Sequence, residues 1–180
     1  MANVQIGNAN ACTRKASRSR LSAAGRRQPS PYGELTVVVG EAGVQEISLP
    51  GDDQPEVEIT TPDRAVARQL DDWFAGRRHD FDLQVDLVGI DGFRREVLDT
   101  LVREVPWGEV VSYGELAALA GRPLAARAAG SAMRNNPIPF VIPCHRVVAA
   151  GHKIGGYGGG RNAIALKRVL LAREGVSTLR

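Results

Sequence analysis

"VSYGELAALAGRPLAARAAGSAMRNNP", Val111 to Pro137, carries its own punctuation. Ser112 followed three residues later by Glu115 is the pattern of a capping box, so the spacing predicts a helix beginning at Tyr113. Leu116, Leu119 and Ala120 supply its buried face, and Gly121 supplies the stop. Pro123 stands where a first helical position would fall, and a second helix is predicted through Met133. Two short helices joined by a tight glycine-containing turn read as a helix-turn-helix. The second is mostly Ala and Gly, with Arg127 its most prominent long side chain before Arg134. Small residues let a helix backbone come close to whatever it faces. That partner is either another helix of the core or a nucleic-acid groove into which one arginine projects.

Downstream, "RNNPIPFVIPCHRVV" places Pro137, Pro139 and Pro143 ahead of Cys144. Such a segment cannot continue a helix and should be a rigid extended loop or short strand. A thiol is a useful nucleophile only as thiolate, so its pKa must fall or a base must take its proton. His145 and Arg146 supply an imidazole and a guanidinium. Adjacent side chains often point apart, so His145 is expected to act through a bridging water and to need an orienting acid. Glu174, the only carboxylate after Glu115, is the candidate by elimination. Arg146 either favours the thiolate electrostatically or secures the loop. Taken alone, a Cys-His pair in an apolar run is more often a small structural core motif than a catalytic one. A glycine-rich loop, "AAGHKIGGYGGGRN", follows. A closing helix then places Ile164, Leu166, Val169 and Leu170 inward.

Upstream, residues 1–28 are basic and aperiodic and read as a disordered tail. Glu34–Val39 and Val44–Leu49 read as strands joined by a glycine-bearing turn. Pro62 and Asp63 open a helix with Ala65, Val66, Gln69, Leu70 and Trp73 at helical spacing, stopped by Gly76. Alternation from Phe81 to Leu87 predicts a further strand with one wet face. Phe93, Val97, Leu98, Leu101 and Val102 then mark another helix, ended by Pro106 and Gly108.

Charge is unevenly shared along the chain. Residues 1–28 carry +6, residues 29–100 carry −10 and residues 101–180 carry +7. A basic second half suits a polyanion partner. No apolar stretch approaches the roughly 20 residues of a membrane span, and an apolar secretory segment is missing at the N-terminus, so a cytoplasmic protein is expected. Cys12 and Cys144, the only two cysteines, make no disulfide framework. Cys144-His145 lacks chelate spacing and His79 and His152 stand alone, so neither a metal nor a cofactor is expected.

"PCHRV" preceded by "RNNPIPFVI" and followed by a Gly-Tyr-Gly-Gly loop resembles the O6-alkylguanine-DNA alkyltransferases, or methylated-DNA–protein-cysteine methyltransferases. The resemblance runs from about Ser30 to Gly175, through "SPYGELTV", "GEVVSYGELAALAG", "AARAAGSAMRNNP" and "LLAREG". It implies an α+β fold. A small N-terminal α/β domain with a short antiparallel, ribonuclease H-like sheet (29–90) would precede a mostly α domain with the helix-turn-helix (91–176) and a tail (177–180).

It further implies that Cys144 takes the alkyl group from O6-alkylguanine, with O4-alkylthymine as a secondary substrate, once per molecule. His145 serves as base through water and Glu174 orients it. Tyr113 donates to the leaving guanine, Asn136 braces the turn, and Val147, Tyr157 and Gly158 line the pocket. Arg127 enters the minor groove of double-stranded DNA and fills the space of the flipped nucleotide. Further DNA contacts are implied at Gly114, Arg122, Arg94 and Ala150, on a monomer that can cluster along DNA. Gly158 stands where many members have a serine donor, and the loop "GYGGGRN" is about one residue longer. Two other readings are a non-catalytic sensor of alkyl lesions, a class that lacks the cysteine, and a helix-turn-helix regulator.

Overall fold

A computed structural model describes residues 4–6, 24–53, 55, 58, 63–87, 89–158 and 163–177. Two units divide the chain, Met1–Ile90 and Asp91–Arg180.

In the first unit, β1 (Gln5–Ile6), β2 (Ala24–Gln28), β3 (Leu35–Gly40), β4 (Gly43–Ser48) and β5 (Gln84–Val85) form one sheet in the order β1-β5-β4-β3-β2. β2, β3 and β4 run antiparallel, whereas β5 pairs in parallel with both β4 and β1. The expected antiparallel sheet is thus the β2–β4 portion of a mixed one. Gly43 has φ 128°, and a Cβ there would sit 2.3 Å from the Gln84 carbonyl oxygen, so the β3–β4 turn admits no side chain. Helix α1 (Arg64–Phe74) is capped by Asp63, whose carboxylate accepts from the Ala65 and Val66 amides. It buries Val66, Leu70 and Trp73, and Trp73 stacks on Phe81 with ring centroids 5.9 Å apart.

The alternation from Phe81 to Leu87 survives as buried Phe81, Leu83, Val85 and Leu87, but ladder pairing is confined to β5. The tail reading is corrected at its end. Ala24–Gln28 pairs residue for residue with Leu35–Val39. Edge pairing with a strongly apolar neighbour orders a segment whose own composition shows no strand preference, and the Gln28 amide donates to Asp71 at 2.6 Å. Most of residues 1–23, with Cys12, lie outside the described residues, as do Pro62, Gly159–Asn162 and the last three residues.

The second unit contains α2 (Gly92–Glu104), β6 (Val111–Ser112), α3 (Tyr113–Leu119), α4 (Ala126–Arg134), a 3₁₀ turn (Cys144–Arg146), β7 (Val147–Val148) and α5 (Ala163–Arg173). The capping box is present: the Ser112 hydroxyl accepts from the Glu115 amide at 3.2 Å, and the Glu115 carboxylate accepts from the Ser112 amide at 2.8 Å. α3 and α4 form the helix-turn-helix, with two corrections. Pro123 lies in the turn and the second helix starts at Ala126, because Ala125 donates back to the Arg122 carbonyl and closes a separate turn. Leu119 is half exposed; Leu116 and Ala117 are the buried pair.

α4 buries Ala129, Ala132 and Met133 and exposes Arg127, Ala128, Ser131 and Arg134. Its small residues therefore serve core packing on one face and leave a low surface on the other. α5 is rotated from the sequence expectation. Ile164 and Val169 are about half exposed, and Lys167, Leu170 and Leu171 face inward. No helix among the described residues is long and apolar enough to cross a membrane.

A candidate active site around Cys144

The loop before Cys144 is a set of turns rather than a strand, and Asn136 staples it. Its side-chain oxygen accepts from the Ile138 amide at 3.1 Å, and its side-chain amide donates to the Ile142 carbonyl at 2.8 Å. The Ile142 amide in turn donates to the Ile138 carbonyl at 2.9 Å. Phe140, buried within this turn, is held at φ 72°. That is the left-handed region a bulky residue adopts only under constraint. Immediately after the 3₁₀ turn, β7 pairs in parallel with β6, aligning Val111 with Val147 and Ser112 with Val148. This short ladder brings the start of the helix-turn-helix beside the cysteine, although the two are more than thirty residues apart in sequence.

Cys144 lines a cavity of about 180 Å³ together with Tyr113, Met133, Arg134, Tyr157 and the glycines 130, 156 and 158. The Tyr113 ring sits between two glycines: a Cβ on Gly130 would lie 3.7 Å from it, and one on Gly155 3.4 Å. Its hydroxyl donates to the Gly156 carbonyl at 3.2 Å, and burial pushes its pKa up, helped by nearby Cys144. Burial likewise pushes the Cys144 thiol up, against hydrogen bonds from Asn136 and Tyr157 and the charge of Lys167. At neutral pH this thiol needs a base.

Behind it lies a buried polar network. His145 Nε2 meets Glu174 Oε1 at 2.7 Å. Arg146 donates from Nε to Glu174 Oε2 at 2.8 Å, from Nη2 to Oε1 at 3.2 Å, and from Nη1 to the Val105 carbonyl at 2.8 Å. The Gly108 amide donates to Glu174 Oε2 at 3.2 Å. Burial alone would raise the Glu174 carboxyl, but His145 and Arg146 together hold it below the usual carboxylate range. It is thus an anion that only accepts. His145 Nε2 must carry the proton, leaving Nδ1 as the basic nitrogen of the neutral ring. Burial, more than its partners, lowers the His145 pKa, so the ring is neutral. Arg146, left with two roles by the sequence, is a structural clamp: its Nε and Nη2 engage Glu174 and its Nη1 the Val105 carbonyl, and it lies 6.0 Å from the Trp107 ring centroid.

Sequence reasoning missed Lys167. It is fully buried, its ammonium donates to the Val147 carbonyl at 2.6 Å and the Gly156 carbonyl at 3.0 Å, and burial lowers its pKa to about 8. The signal was present: Lys167, Leu170, Leu171 and Glu174 share one helical face. Arg134, at the cavity wall, was also missed. Val147 is buried, with its carbonyl on Lys167, and the wall is formed instead by Met133 and Tyr157.

Away from the cavity, Arg127 is exposed on α4, Gly114 is half buried and Ala150 is exposed. Arg94 donates to the Asn135 carbonyl, and Arg122 lies over the Phe93 ring at 5.1 Å and pairs with Glu96 at 3.5 Å.

Residues 92–176 match the family model of the 6-O-methylguanine DNA methyltransferase DNA-binding domain. The chain is 39% identical to the human methylated-DNA–protein-cysteine methyltransferase over 163 residues, covering 81% of this chain and 77% of the human one. The Cricetulus griseus protein of the same name is 57% identical over 88 residues, 49% of this chain and 41% of the relative. The matched stretch therefore spans less than half the length of that rodent relative. Among solved structures, the Mycobacterium tuberculosis OGT in complex with DNA superposes with TM-score 0.75 at 38% identity, over 84% of this chain and 92% of that one. With its cysteine in the Pro-Cys-His-Arg turn beside a helix-turn-helix, the chain belongs to the methylated-DNA–protein-cysteine methyltransferase family.

Proposed function

We propose that the chain repairs DNA by direct transfer of an alkyl group from O6-alkylguanine, and secondarily O4-alkylthymine, to Cys144. The observation that carries this reading is the thiol on the cavity wall with a neutral His145, oriented by an ionised Glu174, behind it. The target oxygen is hidden in the duplex, so the nucleotide must be extruded into the cavity. Arg127, exposed on the small face of α4, enters the minor groove and offsets the lost stacking. The Cys144 proton passes through water to His145 Nδ1. The thiolate then forms the S–C bond as the C–O6 bond breaks, and the bonding pair goes to the guanine. Tyr113 donates to the base as that negative charge develops.

The thioether has no ready route back to thiol, so each molecule acts once, with no cofactor. A working thiol also fits a reducing compartment such as the cytoplasm. The test is intact-protein mass after incubation with duplex containing O6-methylguanine. One methyl on the Cys144 peptide and restored guanine are expected, and Cys144→Ala should bind the duplex yet gain no mass. An unmodified Cys144 at full DNA occupancy overturns the proposal and favours a lesion sensor. Strong preference for one unmodified sequence favours a regulator.

A further inference from the structure

The buried ammonium of Lys167 has no part in the transfer steps, yet it shares a hydrogen-bond acceptor with a residue that does. From α5 it donates to the Val147 carbonyl of β7 at 2.6 Å and to the Gly156 carbonyl at 3.0 Å. The Tyr113 hydroxyl donates to that same Gly156 carbonyl at 3.2 Å. A phenol has one proton to give and an ammonium three. With its proton on Gly156, Tyr113 has none for a substrate base. Turning the hydroxyl to the base breaks that bond, and a carbonyl left without a donor away from water costs about as much as the new bond supplies. Gly156 and Tyr113 form the cavity wall, and Lys167 lies behind it. Gly155 backs onto the Tyr113 ring, where an added Cβ would lie 3.4 Å away, so the glycine loop and the ring are in contact. The titratable groups that face the ammonium are Tyr113 of α3 and, in the 3₁₀ turn, Cys144 and His145, where its charge favours the thiolate and the neutral ring.

We propose that Lys167 is a positioning residue for Tyr113: its ammonium keeps the Gly156 carbonyl satisfied while the hydroxyl turns to the substrate base, and it holds the glycine loop in place through that exchange. The lysine acts through the carbonyl and the tyrosine. The inference deepens the repair reading and rests on it for the identity of the base.

The experiment uses the full chain and duplex containing O6-methylguanine, with single-turnover transfer measured at saturating DNA across neutral and alkaline pH. Burial lowers the Lys167 pKa to about 8. As the ammonium becomes a neutral amine its bonds lose their charge assistance, so the parent's rate should fall above that pH. The Tyr113 hydroxyl, raised above its ordinary 10 by burial, ionises later and does not cause this fall. Tyr113→Phe, with no hydroxyl to release, should be about tenfold slower, the kinetic worth of one hydrogen bond, and should lack the fall. Lys167→Met should be slower by a similar factor, and the double variant no slower than the slower single one. The Gly156 carbonyl-carbon NMR resonance should titrate near pH 8 in the parent and in Tyr113→Phe, but not in Lys167→Met. Slowings that multiply in the double variant overturn the proposal, as does an equal alkaline fall in the parent and Tyr113→Phe. A Gly156 resonance indifferent to pH overturns it as well. Should Lys167→Met fail to fold, the parent and Tyr113→Phe profiles decide alone. A parent that transfers no methyl while the Gly156 resonance titrates as described sinks the repair reading and leaves the lysine's hold on the carbonyl standing.

Discussion

Glu174 joins His145 and Arg146, and its charge state decides whether either can do its work. Replacing it by Gln leaves the Arg146 guanidinium buried beside a neutral amide, and removing one partner of a buried pair costs about 3 kcal/mol or more. The pH signature follows from the two displaced groups. The Glu174 carboxyl is lower folded than its ordinary 4.5, so its stabilisation is complete above that value and is lost as pH falls through the folded one. His145 is depressed below 6.5, so the unfolded chain takes up a proton first and stability already declines below that pH. The parent's thermal midpoint should therefore fall in two stages on acidification. Glu174→Gln should start lower and lose the stage below about pH 4.5. Parallel melting profiles for the two proteins would contradict this assignment.

Helix α3 shows how local punctuation and a close approach cooperate. Ser112→Ala should remove the hydroxyl half of the capping box and cost about 1 kcal/mol in denaturant unfolding. Gly155 has φ 67°, and an added Cβ would meet the Ala149 amide nitrogen at 3.1 Å and the Tyr113 ring at 3.4 Å. Gly155→Ala should cost about 1 kcal/mol or more from backbone strain. It should also slow methyl transfer severalfold more than it weakens DNA binding, because it displaces Tyr113 while leaving the α4 surface intact. Single-turnover rates measured at saturating DNA separate the two effects. α3 was legible because Ser112 and Glu115 satisfy its end by themselves. α5 was misphased because an apolar count assigns a lysine to solvent. Here two carbonyls, of Val147 and Gly156, receive the ammonium inside.

The two units carry opposite charge, and DNA affinity should reside in the basic one. Log affinity should fall linearly with log salt. Arg127→Ala should reduce that slope by about one and slow transfer from duplex about a hundredfold, the kinetic worth of a few kcal/mol of unstacking. Transfer from a single-stranded substrate should change much less, because no stack is broken there. Equal slowing on both substrates would show that Arg127 does not fill the vacated space.

The amino-acid order by itself determined the helix-turn-helix, the proline-locked approach to Cys144 and the His145–Glu174 pairing. Caps, prolines and the scarcity of carboxylates are local or countable signals. Only the tertiary structure decided that Ala24–Gln28 is a strand, that Lys167 is buried and that Arg146 clamps Glu174. Each depends on what a distant segment offers: an unpaired strand edge, two inward carbonyls, a carboxylate in the turn just past α5. A polar side chain is buried only where such partners exist, and no stretch of sequence carries that information about itself.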